Sequence, residues 1–228
     1  MEFVGIDKFS LLDYEDKVSC VLFCKPCNFR CPFCHNGKTV LEADTFIPFE
    51  DILDYLRSRK GLIDAVVVSG GEPTLMPDLK EKCSQLKELG FLVKLDTNGT
   101  NPSVVKDLFN AKLIDYVAMD IKNAPGKYSL TTGTKAIDID RIKETIDFLI
   151  ASGIDYEFRT TLIDEFHSKD DMDEMGKLIK GAKKLFLQKF VERDSCIQLG
   201  LHEVSKENAE EFKKVLSNYV DRVELRGY

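Results

Sequence analysis

Short apolar runs rich in β-branched residues recur along this chain and alternate with segments of helical pattern. Strands are expected at residues 18–24, 65–69, 92–96, 116–120, 156–160, 185–189 and 222–225. Helices are expected between them at 48–59, 77–89, 102–109, 140–151, 169–180 and 206–218. Pro48, Pro77 and Pro102 mark helix starts, where a missing N–H costs nothing. Gly61, Gly90 and Gly153 follow helix ends, where a left-handed residue is wanted. Alternation of this kind argues an α/β fold, a parallel sheet with helices outside it. Six or seven units are too few for a complete eight-fold barrel, which leaves a partial barrel or a doubly wound sheet. No linker, repeat or low-complexity segment interrupts the pattern, so residues 1–228 read as a single domain. Residues 123–136 form the longest irregular stretch and are expected to act as a substrate-side flap.

A chain of 228 residues with 43% hydrophobic and 31% charged residues can bury a sizeable core and stay hydrated. Its net charge of -7 and the lack of a basic block argue against a nucleic-acid binder. Acids lie within the first residues, so these do not read as a signal peptide. No run approaches the roughly 20 apolar residues that would span a bilayer. The expectation is a cytoplasmic protein with reduced thiols.

That expectation sharpens the question of the seven cysteines, five of which fall between Cys20 and Cys34. A disulfide scaffold would spread its pairs, so the crowding favours a metal or redox site. Cys31-Pro32-Phe33-Cys34-His35 matches the attachment signal of a c-type haem, but a βα pattern is not what a small haem carrier needs. Cys24-Lys25-Pro26-Cys27 matches a redox dithiol, but Pro32 soon interrupts the helix such a pair should open. Cys24, Cys27, Cys31 and Cys34 could instead close a tetrahedral zinc site, with His35 as a further nitrogen donor. Or Cys27, Cys31 and Cys34 hold three irons of a [4Fe–4S] cluster and leave one iron open for a ligand. Cys20, Cys83 and Cys196 read as structural.

The C-x3-C-x2-C spacing, with Phe33 before its last cysteine, resembles the signature of the radical S-adenosylmethionine (SAM) superfamily. Gly70-Gly71-Glu72-Pro73, after the second expected strand, is similar to that family's motif for the SAM amino group. Asp96-Thr97-Asn98-Gly99 and Met119-Asp120-Ile121-Lys122 resemble the activating enzymes of glycyl radical enzymes, above all the pyruvate formate-lyase activator. The stretch KFSLLDYEDKVSCVLFCKPCNFRCPFCHN at residues 8–36 and VDRVELRGY at residues 220–228 both look like the family of anaerobic ribonucleoside-triphosphate reductase activating proteins. Lys25-Pro26 departs from the smaller, glycine-containing step expected before Cys27.

The resemblance implies a partial (β/α)6 TIM-like barrel of the radical SAM type. It implies that Cys27, Cys31 and Cys34 bind a [4Fe–4S] cluster whose open iron takes SAM. Gly70, Gly71 and Glu72 would meet the SAM amino group. Asp96 and Asp120 would hold a monovalent cation, Thr97 would lie beside them, and Lys122 would contact the carboxylate. Arg159 would reach the carboxylate side or the ribose, Gln188 would stand where a relative has a histidine, and Phe33 and His35 would lie at the adenine. Read without the resemblance, Gly70–Glu72 is an ordinary βα turn, Asp96 and Asp120 are helix caps, and Arg159 pairs with Glu157. His167 and His202 read as surface residues.

The implied activity is reductive cleavage of SAM followed by hydrogen abstraction from a glycine of a partner glycyl radical enzyme. A flavodoxin or ferredoxin would donate the electron. Two other readings stand beside it: a radical SAM enzyme acting on a small molecule, as a deazapurine synthase does, and a zinc-binding βα domain without catalysis.

Overall fold

An antiparallel strand opens the fold, ahead of the parallel strands that the alternation calls for. The computed structural model describes residues 3–228, apart from the side chains of residues 39 and 40. Strand β1 (Phe3–Ser10) pairs antiparallel with β2 (Ser19–Cys24), and the segment after β2 carries the clustered cysteines. Helices α1 (Gly37–Glu42) and α2 (Phe49–Arg57) follow, then β3 (Ala65–Gly70), α3 (Leu79–Glu88), β4 (Leu92–Thr97), α4 (Pro102–Asn110) and β5 (Tyr116–Asp120). The rest comprises α5 (Tyr128–Thr132), α6 (Ile139–Ser152), β6 (Asp155–Leu162), α7 (Lys169–Leu178), β7 (Lys184–Lys189), α8 (Lys206–Leu216) and β8 (Arg222–Arg226). The eight strands are hydrogen-bonded in chain order in one sheet that ends at β1 and β8. β2–β3, β3–β4, β6–β7 and β7–β8 all pair parallel. No helix among the described residues is long and apolar enough to cross a membrane.

The chain divides into two compact units. The first comprises Met1–Asn28, Lys38–Thr97 and Ser103–Val117. Its helices bury one stripe each: Ile52, Leu53 and Leu56 on α2, and Leu79, Cys83 and Leu86 on α3. Each such aliphatic side chain contributes about 1.5–3 kcal/mol on burial. Pro48 caps α2, Pro102 opens α4, and Pro77 lies two residues ahead of α3. A cluster of Tyr14, Val21, Ala65, Val67 and Tyr116 fills one region of this unit. Lys94 of β4 lies beside it, 3% exposed. Its ammonium stands 6.0 Å from the Tyr14 ring and 5.2 Å from the Tyr116 ring. It also donates to the Asp13 carbonyl at 2.5 Å. Two ring faces and a carbonyl offset the cost of burying the charge.

The second unit comprises Phe29–Gly37, Asn98–Pro102 and Ala118–Tyr228. On α6 the buried residues Ile142, Thr145, Ile146 and Leu149 recur at helical spacing, and Asp138 caps the helix by accepting from Arg141 N–H at 3.3 Å. Gly153 closes α6 at φ 78°, as the sequence implies. Residues 123–136, expected to be an irregular flap, instead contain a 3-10 turn (Pro125–Lys127) and α5. Tyr128, Thr131 and Thr132 of α5 are buried, so this stretch is packed against its own unit. His167, expected at the surface, is 5% exposed. Its Nδ1 accepts from Ile163 N–H at 3.0 Å, which leaves Nε2–H to donate to the Lys122 carbonyl, also at 3.0 Å.

Candidate functional site

In the first unit, the turn after β3 folds onto the segment that leads to Cys27. Gly71 N–H donates to the Cys24 carbonyl at 2.8 Å, and Glu72 N–H to the Pro26 carbonyl at 2.9 Å. Gly70 has φ 104°, and a side chain on Gly70 or Gly71 would run into the backbone of Cys24 or Pro26. This close approach is what the two glycines permit. Glu72 is 1% exposed, and its Oε1 accepts from Thr74 N–H at 3.1 Å and from Thr97 Oγ1 at 2.7 Å, with Thr74 Oγ1 closer still. A buried carboxylate oxygen with three donors is held in one orientation. Asp96 accepts from Ser69 Oγ at 2.9 Å and lies 3.9 Å from Lys94 Nζ. Cys24 is fully buried in β2 opposite Gly70, and burial followed by the Glu72 charge pushes its thiol up to about 12.

In the second unit, Asp120, Lys122 and Arg159 form one cluster. Asp120 Oδ2 accepts from Lys122 Nζ at 2.8 Å and Oδ1 accepts from Arg159 Nε at 3.0 Å. Burial alone would raise the Asp120 carboxyl, but the two cations hold it down at about 2. Burial would lower Lys122, but Asp120, then Cys31, hold it above its ordinary range. Arg159 meets Asp120 across the sheet, where Ile121 N–H bonds the Arg159 carbonyl at 2.8 Å and brings the end of β5 alongside β6. Glu157 has Arg226 as its cationic neighbour, at 3.6 Å.

The cysteine loop is held at several points within this unit. Cys34 N–H bonds the Cys31 carbonyl, and Gly37 N–H bonds the Cys34 carbonyl, each at 3.0 Å. Gln198 N–H donates to the Pro32 carbonyl at 2.8 Å, and Arg30 N–H to the Thr132 carbonyl at 2.9 Å. His35 stacks on Phe190 with ring centres 5.7 Å apart, and its Nε2 lies 2.7 Å from the Val191 carbonyl. Burial, with the Arg193 charge adding to it, pulls the His35 imidazole below its ordinary value against that carbonyl. Lys122 Nζ lies 5.9 Å from the centre of the Phe33 ring. Burial raises the Cys31 thiol to about 11 and raises Cys34 as well, with Lys122 the main influence working the other way at both. Gln188 stands near the end of β7, opposite Thr161 on β6 and Arg226 on β8.

Among the expected site residues, Glu72 therefore meets Thr97 in one unit. Asp120 meets Lys122 and Arg159 in the other, with Phe33 beside Lys122. His35 turns to Phe190 and Val191. Tyr128 and His167 escape the sequence reading, although they engage the Lys122 backbone on both sides: Lys122 N–H donates to Tyr128 Oη at 3.1 Å, and the Lys122 carbonyl accepts from His167. A lone tyrosine and a lone histidine in polar segments carry no pattern by which they could be found.

Residues 21–179 match the model of the radical SAM superfamily. A Methanocaldococcus jannaschii protein, provisionally named a glycyl-radical enzyme activating enzyme, is 36% identical over 97% of this chain and 94% of its own. The chain belongs to the radical SAM superfamily, whose cofactors are a [4Fe–4S] cluster and SAM. Among solved structures, Streptococcus suis SuiB bound to S-adenosylmethionine aligns with TM-score 0.68 at 16% identity, over 91% of this chain and 52% of SuiB. This chain thus spans about half the length of SuiB. A domain of the pyruvate-formate lyase-activating enzyme from Bacteroides vulgatus aligns with TM-score 0.58 at 16% identity, over 72% of this chain and 99% of that one. The fold is accordingly the partial TIM-like α/β barrel of that superfamily.

The donor chemistry of the cysteine loop fits the superfamily's cluster. All seven cysteines are free thiols, and Lys122 offers the loop a positive charge that favours thiolate at Cys31 and Cys34. Among the described residues, no three His, Cys, Asp or Glu side chains are gathered, as they stand, into a group that could hold a metal ion.

Proposed function

We propose that this protein cleaves SAM reductively and removes a hydrogen atom from a backbone glycine of a partner glycyl radical enzyme. The observation that carries this reading is the Methanocaldococcus relative, which matches nearly end to end and bears the name of such an activator. Cys27, Cys31 and Cys34 would hold the cluster, leaving one iron to SAM. The cofactors supply one-electron cleavage of the SAM carbon–sulfur bond, and a flavodoxin or ferredoxin would provide the electron. The polypeptide binds, orients and shields.

Glu72, held in one orientation by Thr74 and Thr97, would meet the SAM ammonium. Gly70 and Gly71 let the backbone come close to the ligand. Lys122, held by Asp120, would receive the SAM carboxylate through a charge-assisted hydrogen bond. Arg159 would bound the same pocket from β6, and Gln188 from β7. Phe33 and His35 would line the adenine side. Asp96 and Asp120 would be the ligands of a monovalent cation, with Asp120 shared between that ion and its two cationic side chains.

Anaerobic loading with iron and sulfide, reduction with dithionite and chromatography for 5′-deoxyadenosine test the first half. Adding candidate glycyl radical enzymes and recording the organic radical by electron paramagnetic resonance tests the second. SAM turnover that depends on a metabolite and never produces a radical on a protein would replace the activator reading with a small-molecule one. A colourless protein holding one zinc, with no SAM cleavage, would remove both.

A further inference from the structure

The five-residue helix α5 is too short to persist on its own merits, since isolated helices below about 12 residues are marginal. Its role is legible in what its two ends touch. At the first residue, Tyr128 is fully buried, and its Oη accepts the backbone N–H of Lys122 at 3.1 Å. At the last, the Thr132 carbonyl accepts the backbone N–H of Arg30, which lies one residue before Cys31, at 2.9 Å. Gly133 then closes the helix in the left-handed region at φ 63°, so near the loop that a β-carbon there would collide with the Arg30 carbonyl oxygen. The element is itself anchored. Asn123 Nδ2 donates to Thr131 Oγ1 at 2.9 Å, and Lys127 Nζ reaches Asp171 at 2.7 Å.

We infer that α5 is a bracket that fixes the backbone of Lys122 against the cysteine loop, with Tyr128 and Gly133 as its positioning residues. The inference rests on the proposed roles of Cys31, Cys34 and Lys122. Gly133 sets the position of the thiols, and Tyr128 sets the height of the lysine whose ammonium meets SAM. Neither residue touches a reacting atom.

Gly133→Asn tests the loop end. Asparagine tolerates the left-handed region, so the substitution adds mainly the β-carbon collision. Gly153→Asn is its control: Gly153 also caps a helix at φ 78°, but no atom lies within 4 Å of the β-carbon it would gain. Both proteins are loaded anaerobically with iron and sulfide, and iron per chain is measured against a competing chelator. Gly133→Asn should lose iron roughly three- to tenfold more readily, the effect of one hydrogen bond, while Gly153→Asn should match the unaltered protein.

Tyr128→Phe tests the other end and stands even where Gly133→Asn fails to fold. It should retain iron normally yet bind SAM roughly three- to tenfold more weakly in equilibrium dialysis. Cys31→Ala run alongside separates the two levels of the argument. Full iron retention by Cys31→Ala removes both the reading of the loop and the bracket. Loss in Cys31→Ala with full retention in Gly133→Asn, or undiminished SAM binding by Tyr128→Phe, overturns the bracket alone.

Discussion

Cys24 and Cys27 are three residues apart and differ in what surrounds them. Cys24 is fully buried at the end of a paired strand, with its thiol pushed up to about 12, while Cys27 is half-buried on the loop beyond. Cys24→Ala should leave iron content unchanged and cost roughly 1–2 kcal/mol of stability for the lost packing. Alanine at Cys27, Cys31 or Cys34 should abolish both iron uptake and SAM cleavage. Iron analysis of the four variants decides, and loss in Cys24→Ala equal to the others would mean that the wrong triplet had been chosen. Asp120 makes a second case. Its folded pKa, about 2, lies below the ordinary aspartate value of 3.8, so between those values the unfolded chain binds more protons. The stability it contributes is complete above about pH 4 and drains away as the pH falls through about 2. Urea unfolding across that window should show a shallower loss for Asp120→Asn. Sequence alone offered Arg159 a ligand or, failing that, a neighbouring acid such as Glu157; its contact with Asp120 across the sheet was invisible because strand pairing decides it.

At the scale of elements, Asp171 ties α7 to the turn before α5. Its Oδ2 accepts from Ser168 N–H at 2.7 Å, Ser168 Oγ at 2.6 Å and Lys127 Nζ at 2.7 Å, and the residue is 6% exposed. Asp171→Ala should destabilise the protein by about 1–2 kcal/mol, read from the shift of the denaturation midpoint, because the capping box of α7 and the link to Lys127 are both lost. The parallel strands and the six longer helices were legible from periodicity, with ends displaced by a residue or two. β1 was not, since three of its eight residues are exposed and the charged pair Asp7-Lys8 falls among its apolar positions. α5 was not either: Pro125 and Gly126 signal a turn, and two threonines at its end are poor helix formers. Burial of Tyr128, Thr131 and Thr132 overrides that local preference. His167 looked exposed because its neighbours are polar, but its ring satisfies backbone groups of Ile163 and Lys122.

For the molecule as a whole, ligand linkage gives a direct check. SAM at about one hundred times its dissociation constant stabilises its binding state by about 2.7 kcal/mol, which for a chain of this size is a rise of roughly 5–10 °C in Tm. Calorimetry should find that rise in the iron-loaded protein and none in Cys31→Ala. The candidate site was readable wherever short motifs fell at strand ends, as at Glu72, Asp120 and Lys122. The residues that hold those side chains in place come from distant segments, and no local pattern announces them. Lys94 has a consequence of another kind. Its amine is enclosed by two phenol rings in the first unit, so acylating reagents that decorate every surface lysine will spare it until that unit opens, and its labelling rate becomes an internal clock for local unfolding.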